Sequence, residues 1–144
     1  LPGVDRLPVG GLAEDEAGSL WLAGAGVMRL ARGSFTTYTT QDGLKSNSVG
    51  SVFEDRGGHL IAVTGDPRFR YLHIFDGERF SSIVPRVPRQ ITHFTWGSGQ
   101  IHFQDHTGAW WVATDQGLCR YPRSTISEDW RRPCPSGSSR SAMV

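Results

Sequence analysis

Three times in this sequence an aspartate is followed at the third position by a glycine, and two residues later by four mostly apolar residues. The pairs are Asp15 and Gly18, Asp55 and Gly58, and Asp105 and Gly108; the apolar runs are Leu20 to Ala23, Leu60 to Val63, and Trp110 to Ala113. The aspartates lie 40 and then 50 residues apart. A regular internal repeat constrains a fold more than any single motif, because each unit must take up the same local structure. Aspartate starts a turn by accepting a hydrogen bond from the backbone two residues on, and glycine supplies the positive φ that a tight reversal needs. Runs this short, bounded by turn residues, predict buried strands rather than helices. Val9 and Leu12, and Val49 and Val52, lead into the first two corners as a preceding buried strand.

Further turns follow at Gly24-Ala25-Gly26, at Thr64 to Arg68 and at Asp115-Gln116-Gly117. They lead to third strands over Val27 to Leu30, Tyr71 to Phe75 and Leu118 to Tyr121, and fourth strands begin at Ser34 and Arg79. The equal intervals from Leu30 to Phe35 and from Phe75 to Phe80 support this alignment. Four antiparallel strands in each ~40–50 residues describe a β-propeller blade. The predicted fold is all-β, about three blades of an incomplete propeller, with repeats near 7–48, 49–90 and 91–123. A β-sandwich shares the short strands but does not predict one corner three times over, and the 3.6-residue period of helices is absent.

The 144 residues carry 15 basic and 14 acidic side chains, a net charge of +1, so no strong field favours nucleic acid. Mean hydropathy is −0.33 and no window supplies the ~18 apolar residues of a membrane helix. Two cysteines, Cys119 and Cys134, are too few for a disulfide scaffold and lack metal-type spacing. The opening Leu1-Pro2-Gly3 has neither an initiator Met nor a basic leader, which predicts a piece of a longer chain. A propeller needs roughly four to eight blades to close, so further blades of the parent chain are the expected partners. Residues 124–144, rich in Ser, Pro and Arg, read as a disordered tail or linker.

The stretches Tyr38 to Leu60 and Gln104 to Arg123 resemble the two-component regulator propeller repeat. The resemblance rests on Asp42-Gly43-Leu44, Asn47, Val49, Glu54-Asp55, Gly58 and Leu60, and on Gly117-Leu118 and Arg120. It spans residues 7 to 123. The pattern's tryptophan is present at Trp21 and Trp111 but is Ile61 in the middle unit, which also carries the insert "GDPRFRY"; Gly99 and His102 depart from the third unit's pattern. The resemblance implies a non-catalytic sensor region outside the cytoplasmic membrane, periplasmic in a bacterial signalling protein, with small-molecule or carbohydrate ligands and no cofactor.

The chemistry of single residues adds little to this. The repeated aspartates read as structural turns, and no series of oxygen ligands suits calcium. His102 and His106 flank Asp105, but a strand and a turn need not bring the two rings together, so no metal site is expected; His93 converges only if its strand folds back. No nucleophile elbow is present. A propeller lyase or glycosidase would need a converging acid and base, for which His102, His106 and Glu54 are the candidates. A protein-binding scaffold unconnected to a kinase is the other alternative. Trp21, Trp110 and Trp111 read as packing between blades. Ligand contacts fall by position and polarity to Asn47, Asp66, Arg68 and Arg70, on loops joining second to third strands or linking blades, and to Trp96, an indole in a connecting stretch able to stack on a sugar.

Overall fold

A computed structural model describes residues 9–65, 70–84, 102–115 and 117–121. It is all-β, in three antiparallel sheets whose strands follow one another in chain order. The first holds β1 (Gly11–Glu14), β2 (Leu20–Gly24), β3 (Gly26–Ala31) and β4 (Ser34–Tyr38). The second holds β5 (Val49–Glu54), β6 (Leu60–Gly65), β7 (Arg70–Phe75) and β8 (Phe80–Ile83). The third holds β9 (His102–Gln104), β10 (Trp110–Thr114) and β11 (Gly117–Tyr121). These are propeller blades: sheets of sequentially paired strands, each entered along its first strand. Of the expected insert "GDPRFRY", Gly65 ends β6 and Arg70 and Tyr71 begin β7; its residues 66–69, the stretch 85–101 with His93 and Trp96, and the tail 124–144 lie outside the described residues.

Registers show the blades to be copies of one another. Glu14 pairs with Leu20, Glu54 with Leu60 and Gln104 with Trp110, each acidic or amide residue immediately preceding its corner aspartate. One position along, Ala13 faces Trp21, Phe53 faces Ile61 and Phe103 faces Trp111. Every second residue therefore points to the same side of its blade.

Blades stack face to face, and the core lies between them. Trp21, Ala23 and Val27 of the first blade close on Val52, Leu60 and Phe80 of the second. Trp21 stacks on Tyr38 at 5.8 Å and meets the edge of Phe75 at 5.1 Å. The opposite face of the second blade presents Phe53, Ile61 and Leu72 to Trp110, Val112 and Tyr121 of the third. The inner strands β1 and β5 run close together because the first blade carries glycine there. A Cβ at Gly10 would stand 2.8 Å from the Gly50 carbonyl oxygen, and one at Gly11 3.1 Å from Ser51 Cα.

Two details differ from the reading of the sequence. Leu12, expected in a buried strand, is 65% exposed, whereas its counterpart Val52 is 3% exposed, because Leu12 lies on the face of the first blade turned away from the second. The fourth strand of the first blade, which the run "SFTTYTT" from Ser34 leads one to extend to Thr40, stops at Tyr38. Thr39 instead caps a single 3-10 turn, Thr40–Asp42: its hydroxyl accepts from the Gln41 N–H, and the Asp42 carboxylate accepts from the Thr39 N–H at 2.7 Å.

That turn explains Asp42-Gly43-Leu44. Asp42 closes the cap, Gly43 ends it at φ 100°, and Leu44 is buried between the first two blades. A side chain on Gly43 would also run into the Phe80 carbonyl. Gly77 has a similar φ of 106° with open space around it. Gly77→Ala should therefore cost about 1 kcal/mol, from backbone strain alone, and Gly43→Ala about 3 kcal/mol or more. Urea unfolding of the two variants measures the difference; equal costs would contradict the packing described.

Candidate functional site

Each corner is built around its carboxylate. Asp15 accepts the Ser19 N–H and the Trp21 indole N–H, both at 2.8 Å. Asp105 repeats this with the Ala109 N–H at 3.0 Å and the Trp111 indole at 2.8 Å, and adds both the N–H and the hydroxyl of Thr107. The Gly18 N–H donates to the Asp15 carbonyl, as Gly58 and Gly108 do to Asp55 and Asp105. Arg29 lies over the Trp21 ring at 5.0 Å and Arg120 over Trp111 at 5.7 Å, each from the register position opposite its tryptophan.

The second blade lacks the tryptophan and solves the same problem differently. Ile61 faces Ile74, so indole and guanidinium are both replaced by apolar groups. The donor that Asp55 loses is supplied by His59, whose Nδ1 lies 3.1 Å from both carboxylate oxygens while its backbone N–H donates at 2.8 Å. His59 stands four residues after its aspartate, and polar substitution there beside an apolar one at Ile61 was the available sequence signal.

Carboxyl ionisation follows from these contacts. Partial burial acts to raise the Asp15 carboxyl, but the Trp21 indole, the Ser19 N–H and then Arg29 outweigh it and hold it below the usual value. The Thr107 hydroxyl, foremost, and then the Trp111 indole hold Asp105 well below the carboxylate range.

Blades are also hooked together by a repeated polar contact. The Glu16 N–H, one residue past the first corner aspartate, donates to Glu54 Oε2 at 2.9 Å. The Arg56 N–H donates likewise to Gln104 Oε1 at 2.8 Å. Glu54 is thus engaged in holding two blades together.

A buried polar chain crosses the second blade. The Thr64 hydroxyl lies 2.8 Å from His73 Nε2, His73 Nδ1 lies 2.9 Å from Ser82 Oγ, and the Ser82 hydroxyl donates to the Gly43 carbonyl at 3.1 Å. With the Ser82 proton committed to Gly43, His73 donates from Nδ1 and accepts at Nε2, so the neutral ring satisfies every group. Burial, with a smaller contribution from Lys45, lowers its pKa to about 4. Met28 and Cys119 hold the corresponding register positions in the other blades, so the only sequence signal was a polar residue in an apolar column.

At one end of the junction between the first two blades lies an open depression of about 490 Å³. Gly24 and Ala25 of the β2–β3 turn line it with Asn47, Ser48 and Gly50 at the approach to β5, and Val9 and Gly10 close one side. The Asn47 side-chain oxygen accepts the Thr40 N–H at 2.9 Å and its carbonyl accepts the Gly26 N–H, which fixes this wall. Among the described residues no titratable side chain lines the depression; Val9 and Val49 give it apolar wall, and its polar groups are backbone, amide and hydroxyl.

Of the expected ligand contacts, Asn47 belongs to this depression. Arg70 begins β7, opposite Gly65 and half-buried, and does not line it. Asp66, Arg68 and Trp96 lie outside the described residues. Among the described residues no three His, Cys, Asp or Glu side chains gather as for a metal, and no helix is long and apolar enough to cross a membrane.

No protein-family model and no curated protein matches the sequence. Solved structures do match. One is the extracellular domain of BT4673 from B. thetaiotaomicron, described as a hybrid two component system, with a TM-score of 0.59 and 21% identity over 80% of this chain. A second structure of that domain, described as a one component system, gives 0.58 and 18% over 96% of this chain. The chain spans 15% and 18% of those two domains' length. At these identities the likeness is one of fold.

The His73 chain makes stability depend on pH. A ring with a pKa of about 4 in the folded chain and 6.5 unfolded contributes stability that is full above pH 6.5 and lost as pH falls towards 4. The loss is on the order of 3 kcal/mol. Asp15, Asp76 and Asp105, lowered from 3.8, act mainly below that window and add to the slope only at its acid end. Urea unfolding across pH 4 to 6.5 should show this slope in the natural sequence and a flattened one in His73→Met.

Proposed function

We propose that the chain is a non-catalytic sensor segment of a bacterial two-component signalling protein. It is part of an extracytoplasmic β-propeller of the two-component regulator propeller type, completed by further blades of a longer parent chain. The observation that carries this reading is the combination of a threefold corner repeat with a fold shared with extracellular domains of BT4673. The engagement of Glu54 in the blade-to-blade hook argues against its serving as an acid or base in a propeller lyase or glycosidase.

The depression beside Asn47 and Ser48 is the ligand site in this reading. It combines a rigid frame with loop-borne polar groups, the usual arrangement for recognition. Among the described residues the lining is largely apolar, from Val9, Val49 and small residues, with the amide of Asn47 and the hydroxyl of Ser48 and no charged side chain, which suits a small neutral ligand with an apolar face and a few hydroxyls, such as a carbohydrate.

Thermal-shift and calorimetric screening against neutral mono- and oligosaccharides tests this. A true ligand at a hundred times its Kd should stabilise the chain by about 2.7 kcal/mol. Ala25→Trp, which fills the depression from an exposed turn, should abolish the effect, and Ser48→Ala should weaken binding roughly tenfold. Sugar binding that survives Ala25→Trp would remove this site, and a response to charged ligands alone would remove the proposed chemistry.

A further inference from the structure

One residue of the depression is held so that its side chain can only donate to a ligand. The Asn47 side chain lies 2.9 Å from the Thr40 N–H. A backbone N–H never accepts, so the group facing it is the amide oxygen, and the NH2 is the end of Asn47 left over. Among the described residues that NH2 has no partner. The orientation is set from outside the depression. Thr40 begins the 3-10 turn, and the reciprocal cap between Thr39 and Asp42 fixes where its N–H is aimed.

Ser48 complements this donor. Its N–H donates to Ser46 Oγ at 3.0 Å, and it forms an isolated antiparallel bridge with Ala25. The Asn47 carbonyl accepts the Gly26 N–H at 2.6 Å. These contacts commit the backbone on both sides and leave the exposed Ser48 hydroxyl, able to accept as well as donate, next to Asn47. Exposed Val9 and the Ala25 methyl line the same depression. A dedicated donor, an acceptor one residue on and a small apolar wall therefore share one site.

We propose that the depression recognises an acylamino group, and that Asn47 is the residue that selects it. A carbonyl oxygen takes the Asn47 NH2, the adjoining amide N–H donates to the Ser48 hydroxyl, and the acyl methyl rests on Val9 and Ala25. A plain hydroxyl offers the oxygen alone, and a protonated amine offers Asn47 nothing to donate to. The inference rests on the reading of the depression as the ligand site and narrows its ligand to N-acetylated sugars.

Calorimetry with glucose, glucosamine and N-acetylglucosamine tests it, read beside the side-chain NH2 resonance of Asn47, the one asparagine among the 144 residues. N-acetylglucosamine should bind roughly tenfold more tightly than glucose and shift that resonance. Asn47→Asp keeps an oxygen for the Thr40 N–H but replaces the donor with a charged acceptor. Its Thr40 amide should stay as protected as in the natural chain, its affinity for N-acetylglucosamine should fall roughly tenfold, and glucosamine should become the best of the three.

Equal binding of glucose and N-acetylglucosamine, or a preference untouched by Asn47→Asp, overturns the proposal and leaves the sugar site standing. So does an Asn47 NH2 already protected from solvent exchange in the unliganded chain, since its donors would then be engaged. Failure of all three to bind also overturns it; the sugar site itself falls only if the wider saccharide screen is silent too.

Discussion

A carboxylate at the start of a turn governs this structure. At Asp15 and Asp105 one side chain binds the backbone of the turn with one oxygen and, with the other, an indole on the following strand. The first contact shapes the reversal; the second fixes the side on which the strand's tryptophan lies. Once that side is fixed, the alternation of the strand assigns every other residue to one face of the blade or the other. The corner is therefore a register device as well as a turn. The hook from the residue after it to the residue before the next corner carries the same register from blade to blade.

The second blade separates what is essential in this arrangement from what is not. It keeps the aspartate and the glycine, loses the tryptophan and its arginine together, and supplies the missing donor from His59. Ile61 and Ile74, in place of Trp and Arg, give that face an apolar surface against the Trp110 side of the third blade. The requirement is a satisfied carboxylate, and tryptophan is one means of meeting it. His73 follows the opposite logic: a polar residue placed in an apolar column, made tolerable by three successive hydrogen bonds that end on the linker between blades.

Much of the fold was legible because the corner is local. Asp, Gly and a short apolar run announce a turn and a strand without any distant partner, and three copies make the blade evident. What was not legible depends on neighbours distant in sequence. Leu12 and Val52 occupy equivalent positions in their strands, yet among the described residues only Val52 has a blade packed over it. Glu54 and Gln104 look like ordinary polar residues until the preceding blade is in place. Asn47 and the Gly24-Ala25-Gly26 turn were legible as loops at the right end of a blade; Gly10, Gly50 and Ser48, which complete the depression, were not, because backbone lining leaves little signature in sequence.

The account stands or falls on the corner carboxylates. A carbon-13 NMR titration of the side-chain carboxyls, read alongside the indole N–H signals of Trp21 and Trp111, tests it directly. Asp15 and Asp105 should both titrate below the ordinary value of 3.8, with the two indole signals moving as their acceptors protonate. Ordinary titration at either aspartate, with its indole indifferent to pH, would contradict the account.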